Sequence, residues 1–281
     1  MRISLVVATI GRTVELRRLL SSLEAQTHKD FDLTVVDQNA DARLAPILME
    51  FAGKIEIRHL ARPDAVGASR ARNLGASDVT GEAVCFPDDD CWYPEDFFQQ
   101  VNDLLAADPD CDAIIGEALD ELGGPILPWR DSSGQATKPV CWRHAVCFAC
   151  VYRSGVLRAI GGFDEALGGG AGTPWGGGED NDLMLRAIEK GYRVRYEQRL
   201  RVYHPRIFRS YDEKSRSKCY SYALGDGRVL RKHPMPVWWR VLFFAVPVGR
   251  TAFAALKLAR EETRYHWATY LGRLRGFRLS G

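Results

Sequence analysis

Three observations predict an α/β fold with a mainly parallel central sheet flanked by helices and a C-terminal helical extension. Continuous β-branched runs alternate with amphipathic stretches over the first 90 residues, the pattern of βαβ units with right-handed crossovers. At 281 residues the chain is long for one compact core and short for two ordinary domains, which suits one large domain with an appendage. The whole chain carries a formal charge of only +2, yet Lys and Arg gather after position 205 in "RSYDEKSRSK", "RVLRKH" and "GRLRGFR". That asymmetry separates the tail from the rest and suits either an anionic partner or a solvated basic face.

"ISLVVAT" reads as a strand buried on both faces and runs into the loop Ile10-Gly11-Arg12. "TVELRRLLSSLEAQT" places Val14, Leu16, Leu19, Leu20 and Leu23 on one helical stripe, with Thr13 as N-cap. "FDLTVVDQNAD" is a second strand ending in Asp37, "LAPILMEFA" a helix, "IEIRHL" a strand, "GASRARNLGAS" a helix and "AVCFPDDD" a strand. "PEDFFQQVNDLLAA" follows as a helix with Pro94 at its first position and acids in its first turn. Residues 106 to 150 are less regular, with "ELGGPILPW" and "DSSGQATKP" as loops. "AVCFACVYRSGVLRAIGGFDEAL" then gives a strand, a helix and a Gly-Gly stop. A Gly-rich loop leads into "EDNDLMLRAIEKG", an amphipathic helix with an acidic start, closed by Gly191. Two strand-like runs ending at His204 complete this part.

In parallel sheets ligands bind beyond the carboxyl ends of the strands, which puts Thr9 to Arg12, Asp37 and Asp88 to Asp90 on one rim. G-x-G-x-x-G is absent after the first strand and G-x-x-x-x-G-K-[ST] is absent altogether, which argues against a dinucleotide dehydrogenase and a P-loop nucleotidase. Three consecutive acids at a strand end repel one another strongly in low dielectric unless a cation or solvent offsets them. A divalent metal, Mg²⁺ or Mn²⁺, is the economical partner, and such ions are usually held by one or two carboxylates together with substrate phosphates. A solvated acidic loop is the bland alternative. Glu179, Asp180 and Asp182 form a second acidic group at a helix start beside six glycines, where a carboxylate is either a general base or a cap. His204 is either a further contact to metal and diphosphate or structural.

"ISLVVATIGR", "LTVVDQNAD", "GASRARNLGAS", "FPDDDCWYP", "GGFDEAL", "GGGEDNDLMLRAIEKGYRV" and "VYHP", in that order, resemble the inverting nucleotide-sugar glycosyltransferases of glycosyltransferase family 2 over about residues 1 to 210. The resemblance implies a GT-A fold, a nucleoside-diphosphate-sugar donor with UDP-sugars foremost, and a divalent metal. Carried over by residue, it puts Thr9, Arg12, Asp37, Arg72, Asp88 and Asp89 at the donor, with Asp37 on the base and Asp89 on the ribose. Asp90, His204 and Asp88 fall at the metal, Asp180 at the catalytic base and Glu179 beside it. Pro87 departs from the family pattern, so the division of labour among the three Asp residues stays open. It further implies a donor-binding half over residues 1–105, an acceptor-binding half over 106–210 and a helical extension over 211–281. A saccharide or lipid-linked acceptor in surface polysaccharide synthesis is expected, and a looser likeness of "SYALGDGRVLRKH" and "YLGRLRGF" to bacterial members points the same way. A nucleotide-sugar binder without turnover and a sugar nucleotidyltransferase are the competing readings.

Other features bound the partners. "MRISLVVATIGRT" lacks the apolar run and cleavage site of a signal peptide, and seven cysteines without one suit a reducing compartment, so a cytoplasmic protein is expected. In "PVWWRVLFFAVPVGRTAFAALKLA", Arg240 and Arg250 interrupt the apolar run below the ~20 residues a span needs. An interfacial helix with Trp238 and Trp239 at headgroup level, on the inner face of the plasma membrane, and a helix packed on the protein's own core are both open. Cys141, His144, Cys147 and Cys150 recur every third residue, but along a strand running into a helix that spacing does not converge on zinc. Cys85 and Cys91 read as packing residues. No recognised module accompanies the basic tail, so nucleic acid is not an expected partner.

Overall fold

A computed structural model describes residues 1–127, 131–206 and 210–279. The chain forms two compact units, one of residues 1–66, 70–162 and 183–206, the other of 67–69, 163–182 and 207–281.

The first unit is built on a sheet. β1 (Ile3–Thr9) and β2 (Phe31–Asp37) are almost wholly buried, as their unbroken apolar runs require. Between them α1 (Val14–Glu24) buries Leu16, Leu19, Leu20 and Leu23. Thr13 stands at its N-cap position but makes no side-chain cap bond, because its φ of −125° and ψ of −46° are not the extended geometry that aims a hydroxyl at the first amides. α2 (Ala45–Glu50), β3 (Glu56–Ala61) and α3 (Ala68–Ala76) follow in the expected order. A Cβ on Gly75 of α3 would run into Val6 and Val36, so glycine is what lets this helix approach the sheet.

β4 (Ala83–Cys85) ends earlier than the sequence suggests. Pro87 has no N–H to give a ladder, and the chain touches the sheet again through isolated bridges, Asp88 to Ala8 of β1 and Trp92 to Tyr203 at the end of the last strand. α4 (Phe97–Ala107) begins three residues beyond Pro94 with no acid in its first turn. Residues 94 and 95 are held outside the helix, since the Pro94 carbonyl accepts from Gln26 Nε2 at 2.6 Å and the Glu95 carbonyl from the Thr27 amide at 2.7 Å.

The segment read as irregular contains β5 (Ala113–Leu119), buried at all seven positions, then β6 (Gly134–Gln135) and α5 (Lys138–His144). "ELGGPILPW" lies partly outside the described residues. A 3-10 turn at 147–149 leads into β7 (Cys150–Arg153) and α6 (Ser154–Ile160), which stops at Gly161 with φ of 80°. Cys141 and His144 therefore sit on a helix, Cys147 in a turn and Cys150 on a strand, all four buried. After α7 (Glu179–Glu189) the two expected runs form one strand, β8 (Val194–Tyr203), whose pairing with β5 shifts register between Ile115 and Glu117.

The strand order is β3-β2-β1-β4-β7-β5-β8-β6. Pairings within β3-β2-β1-β4 and between β5 and β8 are parallel, and β7 is antiparallel to both β4 and β5. Two antiparallel steps restore direction, so β8 runs the same way as β1. His204, just past the end of β8, therefore reaches the rim where β1, β2 and β4 also end. Phe97, Phe98 and Tyr93, with ring centroids 4.6 to 5.3 Å apart, anchor the core beneath that rim.

The second unit joins the Gly-rich loop to α8 (Glu213–Lys232), α9 (Val237–Leu256) and α10 (Arg260–Arg278). Asp212 caps α8 by accepting from the Ser215 amide at 2.7 Å. Any Cβ on Gly227 would strike the Arg273 carbonyl, and any on Gly276 the Leu224 carbonyl, so "GDG" and "GRLRG" let α8 and α10 cross backbone to backbone. α9 is one uninterrupted helix in spite of Arg240 and Arg250. By length and composition it suffices to cross a membrane, with mean hydropathy 1.3 and 22% of its apolar window buried. Trp239, Phe243, Pro247 and Ala254 point inward, so Trp239 is not a surface anchor as expected, whereas Trp238 is 54% exposed.

Candidate active site

The rim of the first unit gathers most of the residues named from the sequence. Thr9, the last residue of β1, is buried. Asp37 ends β2, and its buried carboxylate accepts from the Asn39 amide at 2.9 Å and from Asn39 Nδ2 at 2.7 Å, while His59 Nε2 lies 3.0 Å away. Asn39 in turn accepts from the Gly11 amide at 2.7 Å, tying the loop after β1 to the end of β2. Gly11 has φ of 75°, which lets the loop turn back over the rim and deliver Arg12.

Arg12 bridges two acids. Its Nη1 donates to Asp89 Oδ1 at 2.7 Å and is also paired with the Asp90 carboxylate. Arg72 of α3, almost fully buried, donates from Nη2 to Asp88 Oδ1 at 2.6 Å. His204 Nε2 is 3.3 Å from Asp90 Oδ1. The three acids are thus met by two guanidiniums and an imidazole, which offsets the repulsion expected from their sequence.

This arrangement splits their acidities. Burial dominates at Asp89 and raises its pKa in spite of Arg12. At Asp90 burial opposes ionisation too, but His204 and Arg12 together outweigh it and hold the carboxyl below the ordinary Asp range. His204 mirrors this, because burial lowers its pKa while the Asp90 hydrogen bond and charge carry the balance upward.

Asp88, Asp90 and His204 each present one ligand atom, all within 4.8 Å of one another. The chemistry of the set fits a divalent ion that accepts oxygen and imidazole together. His204 Nδ1 lies 2.8 Å from the Pro205 carbonyl, which can only accept, so Nδ1 carries a proton; toward Asp90 it is Nε2–H of the charged ring that faces the carboxylate, and loss of that proton is what would present an Nε2 lone pair to an ion. Phe148 stacks on the His204 ring at 5.2 Å, and Trp92 stacks on Tyr203 at 5.8 Å while their backbones exchange two 2.9 Å hydrogen bonds. These contacts fix the histidine beside Asp90.

Arg18, Asn39, His59 and Phe148 complete the rim and were not singled out from the sequence. Arg18 covers Trp92 at 4.0 Å and donates to the Asp90 carbonyl at 2.7 Å. The Asp-x-Asn spacing of Asp37 and Asn39 could have signalled an Asx turn. Arg18 lies on the polar face of α1, where nothing in its spacing distinguishes it from Arg17.

Glu179 and Asp180 open α7 and belong to the second unit. Gly178 before them has φ of 92°, and Gly168 lies so close to Glu179 that a Cβ there would be 2.9 Å from the carboxyl carbon. Asp182 is structural. Fully buried, it holds Lys232 at 2.6 Å and His233 at 3.0 Å at the end of α8.

The family model "Glycosyl transferase family 2" matches residues 4–160, more than half of the chain. The chain belongs to glycosyl transferase family 2. The pre-mycofactocin glycosyltransferase of Mycobacterium tuberculosis H37Rv is 30% identical over 217 residues, covering 72% of this chain and 42% of that protein. Succinoglycan biosynthesis protein ExoW of Rhizobium meliloti is 35% identical over 104 residues, 34% of this chain and 31% of its own. This family-2 chain thus spans less than half the length of either relative.

Two solved structures share its fold. Staphylococcus aureus TarS 1–349 in complex with UDP-GlcNAc superposes with a TM-score of 0.64 at 15% identity over 99% of this chain and 90% of TarS 1–349. Mannosyltransferase PcManGT from Pyrobaculum calidifontis, in complex with GDP-Man and Mn²⁺, gives 0.68 at 15% identity over 97% and 87%. Both are GT-A proteins, and the eight-stranded sheet with its flanking helices is the GT-A fold expected for this family-2 member.

Proposed function

We propose that this family-2 glycosyltransferase moves a sugar from a nucleoside-diphosphate-sugar, a UDP-sugar first among them, to a hydroxyl of a saccharide or lipid-linked acceptor with inversion at the anomeric carbon. The observation that carries the reading is the cluster of Asp88, Asp90 and His204 at the carboxyl rim of the sheet, flanked by Arg12 and Arg72. Residues 1–105 serve the donor, 106–210 the acceptor and catalysis, and 211–281 the extension.

Asp37 at the end of β2 receives the base and Asp89 the ribose, with Thr9 lining the pocket. Arg12 and Arg72 move from carboxylates toward the donor diphosphate, whose charge is the stronger attraction for a bidentate guanidinium. A Mn²⁺ or Mg²⁺ ion held by Asp90, His204 and Asp88 supplies positive charge beside the leaving group when bound. Asp180 takes the proton of the acceptor hydroxyl, with Glu179 orienting the helix start. The acceptor oxygen then forms a bond to the anomeric carbon as the bond to the diphosphate oxygen breaks, and that oxygen keeps the electron pair. A single base acting opposite the leaving group gives inversion.

The exposed side of α9 suits peripheral contact with the inner face of the plasma membrane, where lipid-linked acceptors in surface polysaccharide synthesis are met. A screen of UDP-, GDP- and dTDP-sugars for thermal stabilisation with and without Mn²⁺ tests the donor reading, since a ligand that prefers the native state raises apparent stability by mass action. Absence of a Mn²⁺-dependent shift with every donor sinks it.

A further inference from the structure

The second unit holds an open cavity of about 800 Å³ that the donor site does not use. One wall is the loop from Gly168 to Thr173, and the other is a single face of α8. Lys214, Ser217, Lys218, Ser221 and Tyr222 stand at i, i+3, i+4, i+7 and i+8, so all five side chains share that face. Two like charges one turn apart repel each other, yet among the described residues neither ammonium is in an ion pair. Lys218 Nζ lies 5.3 Å over the Tyr222 ring, which is itself exposed, and Glu213 is the one acid in the lining.

The opposite wall is backbone. Gly168, Gly170 and Gly172 have φ of 99°, 78° and 72°, while Gly169 and Ala171 between them do not have positive φ. The Gly168 amide donates to the Trp175 carbonyl at 3.0 Å and the Ala171 amide to the Gly168 carbonyl at 3.4 Å, which leaves, among the described residues, the Gly169, Gly170 and Gly172 N–H groups, exposed by left-handed turns, as the loop's donors for an anion. Residues 67–69 brace this loop: the Ala68 amide donates to the Gly169 carbonyl at 3.1 Å and the Ser69 hydroxyl to the Leu167 carbonyl at 2.7 Å. Gly168 abuts Glu179, so the cavity loop adjoins the acidic start of α7.

We propose that this cavity is a subsite for an acceptor that carries a phosphate or diphosphate on a sugar. Lys214 and Lys218 hold the phosphate, Ser217 and the Gly169, Gly170 and Gly172 N–H groups supply further donors, and Tyr222 offers an apolar face to the sugar ring. The assignment of the ligand as the acceptor rests on the transferase reading above; the anion site itself does not.

The test measures binding of glucose 1-phosphate and of glucose to the full chain in EDTA, by calorimetry. The phosphate should bind saturably, and both glucose to the native chain and glucose 1-phosphate to Lys214→Ala/Lys218→Ala should bind at least about tenfold more weakly. Lys257→Ala, outside the cavity, should match the native chain. Equal affinity of the native chain and the double variant overturns the proposal, and so does equal affinity for glucose and its phosphate. Vesicles of phosphatidylcholine with and without phosphatidic acid identify the carrier. Flotation with phosphatidic acid that depends on the two lysines assigns the phosphate to a lipid, and lysine dependence confined to glucose 1-phosphate assigns it to a soluble acceptor. Binding of UDP with Mn²⁺, measured on the same samples, keeps the two readings apart. Its absence alongside lysine-dependent phosphate binding counts against the donor site and leaves this subsite standing.

Discussion

His204 Nε2 stands 3.3 Å from Asp90 Oδ1 while its Nδ1 lies 2.8 Å from the Pro205 carbonyl, so one ring nitrogen is committed to the backbone and the other to the acids. The histidine comes from the end of β8 and the aspartate from beyond β4, more than a hundred residues earlier. Replacing His204 by Ala removes one of the three groups proposed to hold the ion. The expected result is a loss of Mn²⁺ affinity of at least ~10-fold, read by titrating thermal stability with the metal. An unchanged midpoint would remove His204 from the metal set.

Arg12 is expected to behave in the opposite sense toward the ion. It neutralises Asp89 and Asp90 in the structure, so a metal must compete with it for Asp90. Arg12→Ala leaves the acids less compensated, which lowers stability without metal and enlarges the stabilisation that Mn²⁺ confers, by about 1 kcal/mol or more. Donor affinity should fall in the same variant, because the guanidinium is also assigned to the diphosphate. A variant whose metal response is smaller than that of the native chain contradicts this competition.

Much of this rim was legible in the sequence, for a physical reason. Parallel strands buried on both faces are read as unbroken apolar runs, and their ends place Thr9 and Asp37 without further information, whereas β4 stops at Cys85 and an isolated bridge to Ala8 brings Asp88 to the rim. What was not legible depended on contacts distant along the chain. β5 is as buried as β1, but Gly116 and the flanking turns break its run, and a neighbouring carbonyl from Leu200 is what requires that glycine. Pro94 looks like a helix start until Gln26 and Thr27 claim the carbonyls of residues 94 and 95. Trp238 and Trp239 are indistinguishable in sequence, and only packing by the other helices buries one and exposes the other.

Asp180 and Glu179 are adjacent in the first turn of α7, and the proposed roles separate them. Asp180→Asn should lower the transfer rate by roughly 10²- to 10⁴-fold while leaving donor binding intact, the signature of a lost general base. Glu179→Gln should cost less, about 10-fold, since it acts through position rather than proton transfer. Comparing turnover with the donor-dependent thermal shift checks both. Unimpaired transfer by Asp180→Asn would exclude it as the base.

The outward face of α9 presents Trp238, Val241, Leu242, Phe253 and Leu256, all more than 40% exposed, with Lys257 Nζ 4.1 Å over the Phe253 ring, whereas Arg240 turns toward Phe277 of α10. Apolar anchors beside basic groups favour an anionic bilayer surface. Flotation with phosphatidylglycerol vesicles should therefore exceed that with phosphatidylcholine. The double change Trp238→Ser and Leu242→Ser should weaken it about 10-fold, since each buried apolar side chain contributes on the order of 1.5 to 3 kcal/mol and an interface buries only part of it. Equal flotation of the variant and the native chain would assign that face to another partner.

Away from the rim, Asp131 accepts a forked pair of hydrogen bonds from Arg143 at 2.7 to 2.9 Å and sits 2.9 Å from His144 Nε2. Partial burial opposes its ionisation, but Arg143 and His144 outweigh that, so its pKa lies below the ordinary Asp value of 3.8. A depressed carboxyl stabilises the fold fully above its unfolded value and ceases to do so as pH falls through the folded one. Asp131→Asn should thus cost on the order of 1 kcal/mol near neutrality. The gap to the native chain should hold down to roughly pH 5 and close as pH drops below 3.8. Chemical denaturation across that range measures it, and a difference that instead grows toward acid would mean that the pair does not hold the carboxylate ionised.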